Sequence, residues 1–80
     1  MTTQNELERN VGYVVKVLED DTGNCGLDIK ELTIGVRLKH SKENPLNLPE
    51  AREAISEAEK RKLIGIHIYP ILGQRYFLNK

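Results

Sequence analysis

The side chains best suited to covalent or metal chemistry are few and scattered: one cysteine, Cys25, and two histidines, His40 and His67. Cys25 has no partner for an internal disulfide, and with two widely separated histidines it falls short of the four-ligand set of a zinc site. Its sequence neighbours are acidic, whereas a reactive thiolate needs an electropositive setting. His40 lies in a charged loop and His67 on an alternating stretch, where each reads as an ordinary surface or cross-strand residue. There is no HExxH pair, no glycine-rich phosphate loop and no Ser/His/Asp pattern with supporting context. The sequence therefore predicts neither an enzyme nor a cofactor.

What remains is the chemistry of charge. The formal net charge is zero, but it is segregated along the chain. Residues 1–36 carry three basic against seven acidic side chains, a balance of −4, and residues 37–59 carry −1. Residues 60–80 hold Lys60, Arg61, Lys62, Arg75 and Lys80 with no acid, a balance of +5. A segregated positive end can bind phosphate even when the whole is neutral.

The elements that must position these groups are those of one small domain. Eighty residues bury only roughly 60% of their unfolded surface, too little for a large catalytic cavity. A hydrophobic content of 39% with 30% charged residues fits an ordered chain rather than a disordered tail. The lone cysteine suits a reducing, cytosolic setting. The first residues lack the basic start and apolar run of a signal peptide, and no segment approaches the ~20 apolar residues of a membrane span. The expectation is a cytoplasmic protein.

Taken in order, Leu7, Val11, Val14, Val15 and Leu18 recur at helical spacing and predict a first helix from Gln4 to about Asp20. Tyr13 and Val17 flank that stripe, making the apolar face wider than one core contact requires. The run from Asp20 to Gly26 is dense in turn formers. Leu27-Asp28-Ile29 suits a brief strand, with Asp28 available to cap a helix after it. From Ile29 to His40 two readings compete. Ile29, Leu32 and Val36 fit a helix, while Leu32, Ile34, Val36 and Leu38 alternate as in a strand, with Thr33 and Gly35 on the strand side by propensity. The helix is preferred because it completes a compact unit, whereas a lone strand would need a partner.

Ser41 to Asn47 is a polar loop, and Asn47 can cap a helix opened by Pro49 and continuing to about Lys62. On that helix Leu48, Ala51, Ile55, Ala58 and the stem of Lys62 share one stripe, while Glu53, Glu57 and Lys60 face away. Ile64, Ile66 and Ile68 then alternate with Gly65, His67 and Tyr69, and Pro70 to Gly73 turns the chain before Gln74 to Leu78 returns. The fold expected is α+β: three helices, a C-terminal two-stranded hairpin and room for a third short strand at Leu27 to Ile29.

A helix running into a hairpin in this way resembles the winged helix-turn-helix superfamily. Members show an Arg-Glu-Ala-Leu-x-x-Leu-x-x-x-Gly-Leu-Ile-like run, which Arg52, Glu53, Ala54, Ile55, Ala58, Leu63 and Ile64 fit. Lys62 stands where glycine is usual, Ala58 replaces a larger apolar residue, and the loop from His40 to Leu48 is longer than the tight turn of most members. The resemblance implies double-stranded DNA as partner, with the third helix in the major groove and the hairpin against the backbone. It assigns base contacts to Asn47, Arg52, Glu53 and Ser56. Phosphate contacts fall to Lys60, Arg61, Lys62 and Arg75, the last at the tip of the wing. Glu50, Glu53 and Glu57 oppose phosphate, and Glu53 serves a reader only by accepting from a cytosine amine.

The function expected is a small sequence-specific transcriptional regulator of prokaryotic or viral type. A homodimer is expected with it, because two-fold pairing doubles the contacts and matches a palindromic site. Its seam is placed on the first helix, at Tyr13 or Val17. The alternative is a winged-helix domain that binds protein, as an adaptor or an inhibitor of a larger complex, which the mixed-charge helix face and the zero net charge would suit.

Overall fold

Asp28 decides the ambiguous middle of the chain. In the computed structural model, which describes residues 3–20, 26–39 and 45–79, its carboxylate accepts from the Glu31 N–H at 2.7 Å and the Glu31 carboxylate accepts from the Asp28 N–H. This reciprocal capping box satisfies two donors that a helix start leaves open. The helix it starts is α2 (Ile29–Leu38). It buries Leu32, Thr33 and Val36 and leaves Ile34 and Leu38 exposed, so the period is helical and the alternation of apolar residues is incidental. Gly35, which argued for a strand by propensity, has a different use. A Cβ there would lie 2.7 Å from a methyl of Val17, so its absence lets α2 close onto the preceding helix.

That preceding helix is α1 (Gln4–Asp20), started by the Thr3 hydroxyl, which accepts from the Glu6 N–H. Val11, Val14, Val17 and Leu18 are buried on it and Leu7 and Tyr13 pack partly against the core. Val17 is thus spent inside the domain at 3% exposure, which corrects its expected place at a subunit seam. The third helix, α3 (Leu48–Lys60), opens with a second capping box, between Asn47 and Glu50, and with Pro49 in its first turn. Ala51, Ala54, Ile55 and Ala58 form its buried stripe. Leu48, expected on that stripe, is 40% exposed.

α3 stops on three successive hydrogen bonds that fold the chain back over its last carbonyls. Leu63 N–H donates to Ala58 C=O, Lys62 N–H to Glu59 C=O and Arg61 N–H to Glu57 C=O. This pattern needs one residue in the left-handed region, usually glycine. Here it is Lys62, at φ 61°.

The hairpin begins at once. Strands β1 (Ile64–Tyr69) and β2 (Gly73–Leu78) pair antiparallel in unbroken register from Ile64 opposite Leu78 to Tyr69 opposite Gly73. Gly73, at φ 78°, takes a positive angle open to glycine at no steric cost. Leu27 adds a single bridge to Tyr76 on the far side of β2, and the short strand expected at Leu27 to Ile29 is reduced to that bridge because Ile29 already belongs to α2. Ile64 and Tyr76 are buried against the helices, so the near half of the hairpin roofs the core. The far half projects, with Ile68 69% and Ile71 96% exposed.

The chain is therefore α+β, three helices followed by a two-stranded antiparallel hairpin in a winged-helix-like layout. No helix among the described residues is long and apolar enough to cross a membrane. Cys25 with the turn before it, His40 with the polar loop to Asn44, and Lys80 lie outside the described residues.

Candidate nucleic-acid interface

Two helices present outward side chains to the same groove. Along α2, Lys30, Ile34 and Arg37 fall four and three residues apart and so share one face. They meet Leu48 and Arg52 from the first turns of α3, enclosing an open groove of about 230 Å³ floored by Ile29, Ile34 and Leu48. Its lining holds three basic residues and no acidic one. Arg37 is partly anchored, its Nε donating to Leu46 C=O at 3.0 Å. That bond ties the chain leading into α3 to the last turn of α2.

Of the residues assigned to bases, Arg52, Glu53 and Ser56 lie exposed on α3. Asn47 sits immediately before them, but its side-chain oxygen is occupied as the helix cap, accepting from Glu50 N–H at 2.9 Å. Its amide nitrogen is the group left to face a ligand. Two of the acidic residues that oppose phosphate are engaged within the domain, and of these Glu57 alone is paired with a cation. The Glu50 carboxylate accepts from the Asn47 N–H, and the Glu57 carboxylate accepts from the Arg61 guanidinium at 2.8 Å. Glu53 and Glu59 remain exposed on that helix.

The phosphate set divides. Lys60 and Lys62 are exposed at the end of α3. Arg61 turns the other way, its two terminal nitrogens forming a paired contact with both oxygens of Glu8 on α1 while its Nε holds Glu57. The Arg61 hydrogen bonds hold the Glu8 carboxyl below the ordinary carboxylate range, and the two glutamates raise Arg61 in turn. Arg61 thus clamps the end of α3 to the start of α1.

Arg75 needs a correction. It stands opposite His67 in mid-strand rather than at the wing tip, which is Pro70, Ile71 and Leu72. Its side chain is 16% exposed and lies within 3.8 Å of Asp28 and 3.6 Å of Glu31, while a terminal nitrogen donates to Gly26 C=O at 3.2 Å. The capping box of α2 is therefore also an anion pair that docks β2. Since Arg75 is the one charged residue between Ile64 and Leu78, the wing presents an uncharged surface, with His67 and Gln74 exposed beside Ile66, Ile68, Ile71 and Leu72. On one side Tyr69 lies edge-on to His67, with ring centres 4.5 Å apart, and Tyr69 approaches Phe77 at 6.4 Å. Burial pushes the Tyr76 phenol up on the other side.

Sequence reasoning missed Lys30, Arg37 and the apolar floor between them. The signal was present: once residues 29–38 are helical, the spacing of Lys30, Ile34 and Arg37 defines an outward stripe. Among the described residues no three His, Cys, Asp or Glu side chains converge as a metal site would require. Comparison with known proteins adds nothing to this geometry, since no family model, curated protein or solved structure matches the chain.

Proposed function

We propose that this chain is a small sequence-specific DNA-binding regulator of the winged helix-turn-helix type, acting as a homodimer in the cytoplasm of a prokaryotic or virus-infected cell. The observation that carries the reading is the α2–α3 groove, where Lys30, Arg37 and Arg52 converge with no acidic residue in the lining. Phosphate contacts supply most of the affinity of such a protein, and base edges supply its specificity. In this reading Lys30, Lys60 and Lys62 meet phosphates. Arg52, Ser56 and the Asn47 amide meet base edges, and Glu53 accepts from a cytosine amine. Arg61 and Arg75 hold the scaffold. The protein binds and does not catalyse.

Selection of bound sequences from a random duplex pool tests this. An enriched motif is expected, and Arg52→Ala should cost about 1–3 kcal/mol on that motif and little on other duplexes. The absence of any enriched motif, with no retardation of duplex at low salt, would overturn the reading. A second reading has its own observation. Ile68, Ile71 and Leu72 crown a wing whose tip has no charge, which suits a protein partner better than a phosphate backbone. A wing-tip variant such as Ile71→Ser that leaves duplex binding intact would show that the tip takes no part in DNA contact, and loss of duplex binding would count against this second reading.

A further inference from the structure

The hydrogen-bond phase of the hairpin singles out an open edge. Asn79 N–H donates to Leu63 C=O at 2.9 Å, just beyond the paired strands. Inward and outward groups alternate along an antiparallel strand. Gly65, His67 and Tyr69 therefore direct their amides and carbonyls at β2, and Ile64, Ile66 and Ile68 direct theirs away from it. The far edge of β2 is occupied at its middle, where Tyr76 and Leu27 exchange both bonds at 2.7 and 3.1 Å. The outer edge of β1 has no strand against it among the described residues.

Sheet proteins ordinarily guard such an edge with charge, proline, a bulge or brevity, because it templates pairing with another chain. β1 carries no Asp, Glu, Lys or Arg and no proline, and its six-residue register with β2 is unbroken. The far half of the hairpin also lacks anything beneath it, with Ile68 69% and Leu72 50% exposed, and a two-stranded ribbon without a packed face is marginal in water.

We propose that this edge is a self-association surface: two copies of the chain pair antiparallel through β1 and merge their hairpins into one four-stranded sheet. A second copy fits for a geometric reason. Residues that exchange both bonds across the two-fold axis must each have outward amides, and in this chain those residues are all isoleucines. Every hydrogen-bonded register, whether centred on Ile66 or on His67, therefore sets isoleucine opposite isoleucine on one face. His67 and Tyr69 lie on the other. No like charges meet at the seam, and the zero net charge leaves no long-range repulsion between copies. The seam replaces the one expected on α1, where Val17 is internal. It concerns how the copies meet and does not depend on what they bind.

The test uses the whole chain without DNA. Sedimentation equilibrium at tens of micromolar should give twice the 9.1 kDa chain mass. The Ile66 and Ile68 amides should exchange with solvent about tenfold or more slowly at that concentration than in dilute protein. Ile68→Lys, at a position 69% exposed, should give a monomer with unchanged far-ultraviolet circular dichroism, while Tyr13→Ser on α1 should leave the dimer intact. A wild-type monomer, a dimer that survives Ile68→Lys, or a dimer lost in folded Tyr13→Ser protein would overturn the proposal. If either variant fails to fold, the exchange of the two wild-type amides decides: fast exchange at high concentration refutes the seam. Duplex retardation by the wild-type protein, measured separately, keeps a failure of the DNA reading distinct.

Discussion

Lys62 carries the clearest residue-scale strain. A non-glycine residue in the left-handed region costs about 1–2 kcal/mol, and Lys62 sits there at φ 61° because the chain must leave α3 and enter β1 within three residues. Glycine would remove that strain but lose more entropy on folding, by roughly 0.5–1 kcal/mol. Lys62→Gly should therefore stabilise the domain by about 0.5–1 kcal/mol, as read from the urea midpoint at constant slope. A loss of stability would mean that the lysine stem contributes packing greater than the strain. Ile55 is the converse case, a branched side chain at 4% exposure among alanines. Ile55→Ala should cost about 2–4 kcal/mol, and a cost under about half a kilocalorie would deny it a place in the core.

Among the elements, the long periodic stretches and their punctuation were legible in the sequence. Asn47 with Pro49 marked the start of α3, Asp28 offered a cap for α2, and three alternating isoleucines marked β1. The α2 stretch was harder to read because a ten-residue amphipathic helix with apolar residues on two faces also satisfies a two-residue period. Only the partners settle it: Gly35 against Val17, and Glu31 folded back on Asp28. Arg75 was misplaced for a related reason. Its position on a strand could be read from the alternation, but its acidic partners come from another element, and long-range pairing leaves no trace in local spacing. Arg75→Ala should accordingly act on stability, costing about 1–2 kcal/mol through the lost carbonyl hydrogen bond and ion pairs. On duplex DNA it should leave the salt dependence of binding unchanged. A salt slope reduced by about one unit would restore Arg75 to the phosphate set and contradict its role as a docking residue.

For the whole molecule, the positive C-terminal pole visible in the sequence is redistributed by folding. Arg61 is drawn to Glu8 and Arg75 to Asp28 and Glu31, so two of its five cations are tied to acids from the first half of the chain. Around α3, rather than along the wing, Lys30, Arg52, Lys60 and Lys62 remain exposed, with Glu53 and Glu59 exposed among them. The candidate site was thus half legible: its α3 residues could be read from helix phase, and its α2 residues only after that helix was established. The central claim is that this α2–α3 surface binds duplex DNA, and the most direct measurement is affinity for a labelled random-sequence duplex titrated across salt concentration. With Lys30, Lys60 and Lys62 on phosphates, log affinity should fall against log salt with a slope of about −3 per bound chain. The slope should be shallower by about one unit in Lys60→Ala. Affinity that does not change with salt, or no binding at low salt, would contradict the claim.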